Sequence, residues 1–188
     1  DPIVSAVADY NNIKDQNVYS IGYADPQAGV LQCGYASGIG TMRFYVQYVN
    51  LPALTSADVI VSASIQLYKP YGNTNATTIS VHKVSEPWDS MTMQWSNMAS
   101  FDETAEDYAV VGNTIGYFSW DVTDIVRGWY EGENTGMMFK APEEIENTKV
   151  NNKYQFYSSD FGPSYKPTLT IIFRNNNGLE NYWDYTTL

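Results

Sequence analysis

Between Asp58 and Tyr68 the chain alternates strictly. Val59, Val61, Ala63, Ile65 and Leu67 fall on one side of an extended chain, and Ile60, Ser62, Ser64, Gln66 and Tyr68 on the other. Side chains on a strand repeat every two residues, so this segment predicts a strand whose first set faces a core. The pattern recurs. Met42, Phe44, Val46 and Tyr48 alternate with Arg43, Tyr45, Gln47 and Val49, and Leu51-Pro52-Ala53-Leu54 then makes a corner. Residues 78–84 alternate around Ile79 and Val81, and residues 168–174 around Leu169, Ile171 and Phe173. Shorter candidate strands span residues 18–23, 136–140 and 153–158. Turn-forming residues punctuate them at 71–75, at Gly112-Asn113 and at Gly162-Pro163.

One helix is expected. Thr123 suits an N-cap, Asp124 places negative charge at the helix N-terminus, Ile125 and Trp129 share a face, and Gly132 ends it after roughly two turns. Many short strands, frequent turns and a single short helix predict an all-β fold: an antiparallel β-sandwich, jelly-roll-like, with the helix over one end or edge. At 188 residues the chain is long enough to bury a core without disulfides, and its lone Cys33 can form none internally. The module is expected over residues 1–174. Asn175-Asn176-Asn177-Gly178 breaks the pattern, so residues 175–188 read as a linker or the start of a following region.

Charge narrows the partners. With 21 acidic and 10 basic residues the net charge is −11, which argues against nucleic acid and against anionic membranes. No apolar run approaches the ~20 residues of a membrane-spanning helix, so membrane insertion is not expected. The chain opens on Asp1-Pro2 with no basic and apolar leader, so any secretion signal is expected to have been removed or to lie upstream.

Catalytic chemistry finds little support. The one histidine, His82, falls on the polar side of a regular strand and reads as a surface residue, which removes His-based triads and multi-His metal sites. Cys33, beside Gly34 in a loop or strand end, reads as a buried or inert thiol. The acidic groups Asp102, Glu103, Glu106, Asp107 and Glu143, Glu144, Glu146 read as solvated loop charge rather than glycosidase carboxylates. Calcium takes oxygen ligands from loops, and residues 9–15 offer Asp9, Asn11 and Asp15 as ligands for a structural calcium. The chain also holds 16 Tyr and 5 Trp. Sugars lay apolar faces on such rings while neighbouring polar groups bind hydroxyls, and Trp88, Trp95, Tyr68 and Tyr71 are the candidate ligand-binding residues.

Several segments in order resemble the DNRLRE family of bacterial surface modules. They are Asn17-Val18-Tyr19-Ser20-Ile21-Gly22, Arg43-Phe44-Tyr45-Val46 leading to Leu51-Pro52, and Ile65-Gln66-Leu67-Tyr68. Trp88 to Trp95 resembles that family's paired-tryptophan segment. Trp120-Asp121-Val122-Thr123-Asp124-Ile125-Val126-Arg127-Gly128-Trp129 resembles its aspartate, threonine and helix signature, and Phe156 to Asp160 and Pro167 to Ile171 continue the likeness. Gly178-Leu179-Glu180-Asn181-Tyr182-Trp183 resembles the junction before the repeats of large rearrangement-hot-spot (RHS) proteins. The resemblance implies a β-sandwich without catalytic residues, similar to carbohydrate-binding modules, some of them attached to lyases of acidic polysaccharides. It implies a secreted or cell-surface bacterial protein that binds cell-wall or host polysaccharide or serves adhesion. The alternative is a structural scaffold whose partner is the rest of its own chain, an adjacent repeat region.

Overall fold

In the computed structural model, which describes residues 12–73 and 75–174 and the backbone of 180–184, the alternating segments become strands. They are β1 (Ile13–Tyr19), β2 (Val30–Ala36), β3 (Gly40–Tyr48), β4 (Val59–Lys69), β5 (Thr77–Lys83), β6 (Asp107–Val111), β7 (Gly116–Asp121), β8 (Met137–Lys140), β9 (Asn152–Tyr157), β10 (Thr168–Arg174) and β11 (Glu180–Asp184). Helix α1 (Thr123–Glu131) lies between β7 and β8, and helix α2 (Glu143–Asn147) between β8 and β9. Among the described residues a seven-stranded sheet runs β6-β5-β8-β3-β2-β9, with β1 also paired to β3, and a four-stranded sheet runs β11-β10-β4-β7. The pairs are antiparallel. The chain is an antiparallel β-sandwich, as the alternation predicts.

The core lies between the sheets. Phe44, Val46, Ile79, Val81, Phe139 and Phe156 of the large sheet meet Ala63, Ile65, Leu67, Trp120, Leu169 and Ile171 of the small one. Phe44 stacks on Phe139 at 4.8 Å, and the Trp120 ring meets Phe139 and Phe156 edge-on. The indole N–H of Trp120 donates to the Ile79 carbonyl at 2.8 Å, so this buried ring leaves no polar atom unpaired.

Two expectations about β4 and α1 need correction. Val59 and Val61 are exposed and Ile60 is buried, the reverse of the alternation. The cause is a bulge: Ile172 pairs with Ser62 and the next residue, Phe173, with Ile60, so Val61 is skipped and the facing of β4 reverses below it. The helix begins at Thr123, but Thr123 does not cap it with its side chain. Asp121 supplies the acceptor instead, its Oδ1 receiving the Thr123 amide at 2.9 Å and the Thr123 hydroxyl at 2.6 Å. Gly132 ends the helix as expected, its N–H donating to the Gly128 carbonyl at 3.0 Å. The second helix, α2, is not anticipated by the sequence pattern, and its Glu146 is buried rather than solvated.

His82 needs a further correction. It is only 4% exposed. One ring nitrogen, Nδ1, lies 2.7 Å from the Asp102 carbonyl, and the other, Nε2, 2.8 Å from Ser80 Oγ. The outer face of the large sheet is covered: Val18, Tyr45, Val84 and Met138 pack under Trp88, Met93 and Ala99 from the segment between β5 and β6. Burial under that cover holds the His82 imidazole below its ordinary pKa. Cys33 is buried in the core, and burial first, then Glu146, pushes its thiol well above the usual range. Gly34, beside it, has φ +107° and pairs with both β3 and β9; a Cβ there would sit 2.2 Å from the Asn152 carbonyl oxygen.

Residues 180–184 pair with β10 from Arg174↔Glu180 to Thr170↔Asp184. Truncation after Arg174 removes this pairing and exposes the edge of β10. It is expected to lower the melting temperature of the domain measurably; an unchanged temperature would show that β11 adds nothing to the sandwich.

Candidate functional site

The outward end of β4 carries Tyr68, directly across from Tyr117 on β7, with the two rings edge-to-face at 5.0 Å. The last residue of β9, Tyr157, lays its ring parallel to Tyr68, 5.8 Å away and tilted by 4°. Phe161 stacks against Tyr157 at 3.6 Å. Tyr165 closes the group, 4.2 Å from Tyr68, 5.8 Å from Tyr157 and 6.4 Å from Tyr117. These are surface rings: Tyr117 is 52% exposed, Phe161 46% and Tyr165 43%. Burial of phenol against phenol raises the pKa of Tyr117 and Tyr157; after burial, Tyr71, Tyr68 and Tyr165 contribute to the shift at Tyr157.

The backbone around the rings is pinned. The Ser158 hydroxyl donates to the Ala28 carbonyl at 2.6 Å and accepts from the Asp160 amide at 3.1 Å, which shapes the short turn Ser159–Phe161. Tyr165 has φ +62°, a left-handed conformation that costs a non-glycine residue on the order of 1 kcal/mol or more, and its ring contacts hold it there. Lys69 follows Tyr68 but is fully buried, and its ammonium donates to the Tyr71 carbonyl, fixing the turn that carries Tyr71. Burial pushes the Lys69 pKa down.

Beside the rings runs a polar groove lined by Tyr71, Asn73, Asn151, Asn152, Lys153 and Gln155, among others. Asn73 Nδ2 donates to the Lys153 carbonyl at 2.5 Å, tying the loop after β4 to β9. Gln155 Nε2 donates to Gln32 Oε1 at 3.1 Å, and Asn151 Oδ1 accepts the Ser37 amide at 2.5 Å. Among the described residues no carboxylate lines this groove, in a chain of net charge −11.

Of the four aromatic residues that the sequence singles out, two lie here and two elsewhere. Tyr68 is central to the ring cluster, and Tyr71 lines the groove. Trp88 is 8% exposed in the outer cover of the large sheet; its Nε1 donates to the Thr135 carbonyl at 2.9 Å, and its ring lies 5.6 Å from Tyr45 and beneath the Lys14 ammonium. Trp95 is half-buried at the rim of the same cover, with the Arg43 guanidinium 5.0 Å from its ring. Tyr117, Tyr157, Phe161 and Tyr165 are not among the sequence candidates. The available signal is aromatics flanking the Gly162-Pro163 turn and standing on the outward side of strands.

Of the calcium candidates, Asp9 and Asn11 lie outside the described residues. Asp15 is buried in β1, its Oδ2 accepting the Ser159 amide at 2.7 Å. Among the described residues no group of three or more His, Cys, Asp or Glu side chains is placed to hold a metal ion. No helix of the described residues is long and apolar enough to cross a membrane.

No curated protein matches the chain. The family model of carbohydrate-binding module family 96 matches residues 16–173, from within β1 to within β10, so nearly the whole sandwich is covered and the chain belongs to carbohydrate-binding module family 96.

Proposed function

We propose that the chain is a non-catalytic carbohydrate-binding module of a secreted or cell-surface bacterial protein, and that it holds cell-wall or host polysaccharide on the platform of Tyr68, Tyr117, Tyr157, Phe161 and Tyr165. The observation that carries this reading is the exposure of several large rings in one cluster. Rings that serve only a core are buried, as Trp120 is; Tyr117, Phe161 and Tyr165 instead keep about half of their surface in solvent, and the tyrosines add phenol hydroxyls. A sugar ring presents the complementary combination of C–H faces and equatorial hydroxyls. The non-catalytic part of the reading is supported by the engaged His82, both of whose ring nitrogens have partners, and by the buried Cys33. A site on a larger secreted or surface protein, serving adhesion, is the setting in which such a module acts.

Titration against a panel of soluble polysaccharides tests the site. Tyr117→Ala and Tyr165→Ala are each expected to weaken binding by about tenfold or more, as aromatic anchors at an interface do. Their melting temperatures should stay within a few degrees of the native protein, because both rings are half exposed. Unchanged affinity in both variants would move the binding site off the platform.

A further inference from the structure

We infer that the polar groove beside the platform is the second half of one binding site, so that the module grips the interior of a glycan chain several sugars long rather than a single sugar or a chain end. The inference rests on the platform reading above and extends it.

Three observations join the two halves. Tyr71 lines the groove, and its carbonyl is held by the ammonium of Lys69, the residue that follows Tyr68 of the platform. Strand β9 runs from one to the other. Lys153, Gln155 and Tyr157 alternate onto the same side of β9, away from the buried Tyr154 and Phe156. Successive side chains on one face of a strand stand roughly 6–7 Å apart, so groove and platform form one track about 13 Å long, more than one sugar ring spans.

The chemistry differs along the track in the way a chain ligand requires. The platform offers ring faces. The groove offers amides, and Gln155 is held by its Nε2 on Gln32, which presents its carbonyl oxygen as an acceptor with a fixed orientation. Its walls are tied in advance, by Asn73 to the Lys153 carbonyl and by Lys69 to the Tyr71 carbonyl, so little ordering is left to be done on binding. With no carboxylate among its described lining residues, the groove is spared the acidity of the rest of the chain.

Titration calorimetry with two-unit and six-unit gluco-, xylo-, manno- and uronate oligosaccharides tests this in the whole chain. For the sugar that binds, the six-unit oligomer is expected to bind at least tenfold more tightly than the two-unit oligomer. Gln155→Ala should lower the six-unit affinity about tenfold and leave the two-unit affinity unchanged, while Tyr165→Ala lowers both. Thermal melts confirm that each variant is folded. Equal affinity for two and six units, or loss of two-unit binding in Gln155→Ala equal to the six-unit loss, would overturn the groove extension and leave the platform standing. Failure of every oligomer to bind would overturn the platform reading and this inference with it.

Discussion

Glu146→Ala is expected to be the most damaging single change outside the hydrophobic core, lowering stability by about 3–5 kcal/mol. Glu146 is the buried residue of α2, and its carboxylate serves two cations. Arg43 Nε donates to Oε2 at 2.9 Å and Arg43 Nη2 to Oε1 at 3.0 Å, while Lys140 Nζ lies 3.4 Å from Oε1. Arg43 is further enclosed by the rings of Trp95 and Phe101, 5.0 and 5.4 Å from its guanidinium carbon. Removing the carboxylate leaves two largely buried cations on neighbouring strands with no counter-charge. It also cuts the Arg43 link by which α2 is held on β3, leaving there the bond of the Thr41 hydroxyl to the Glu146 backbone carbonyl at 3.3 Å. For a domain of this size the change corresponds to a fall of roughly 10 °C in melting temperature. Glu146→Gln keeps the shape and loses the charge, and should fall between. Urea unfolding of the three proteins measures it. A loss below about 1 kcal/mol for the alanine variant would mean that the cations find water by local opening of α2 and that the triad contributes nothing net.

This triad marks one limit of what is legible in the sequence. Glu143, Glu144 and Glu146 look like one solvated acidic run. Two of them are exposed, but the third is the anchor of a helix, and nothing local distinguishes it; its partner Arg43 is 103 residues away, and Lys140 stands on another strand. The strands themselves are legible wherever one face is buried and the other wet. Thus β4 and β10 stand out, and β2 does not, because its residues are buried in consecutive positions and carry no period of two. A related reason hides His82. Its polar-looking side of β5 is covered by the segment carrying Trp88, a tertiary arrangement that alternation cannot report.

The ring cluster is half legible. Tyr68 and Tyr71 follow each other closely along the chain and form a visible pair near a turn. Tyr117, Tyr157, Phe161 and Tyr165 come from β7, β9 and the segment before β10, and only the pairing of β4 with β7 and the meeting of β9 with β4 brings them together. Trp88 and Trp95 are equally prominent in sequence and lie in the outer cover instead. Large aromatics near loops serve either end, and burial alone separates the two uses.

The second large expectation concerns pH. Asp15 is buried, and desolvation raises its pKa to about 7, against the two opposing hydrogen bonds from Ser159 and with a further push from Asp160. Because the folded pKa lies above the unfolded value of 3.8, the fold favours the protonated acid. Its contribution is complete below about pH 3.8 and is lost as pH rises through about 7, the opposite of an ion-paired carboxylate. A gap of about three units corresponds to roughly 4 kcal/mol. Asp15→Asn keeps an oxygen for the Ser159 amide and removes the titration. The stability of the variant relative to the native protein should therefore climb by about 4 kcal/mol between about pH 4 and pH 8, measured by melts in chelator. Comparing the two proteins cancels His82, which is common to both and acts in the other direction, losing its contribution as pH falls. A difference that stays flat within about 1 kcal/mol would show that Asp15 is ionised in the fold at little cost. Repeating the melts in millimolar calcium then decides the metal expectation for this residue. A cation on Asp15 favours the carboxylate, so it would erase the alkaline loss in the native protein and leave Asp15→Asn unmoved; persistence of the loss would remove Asp15 from any calcium site.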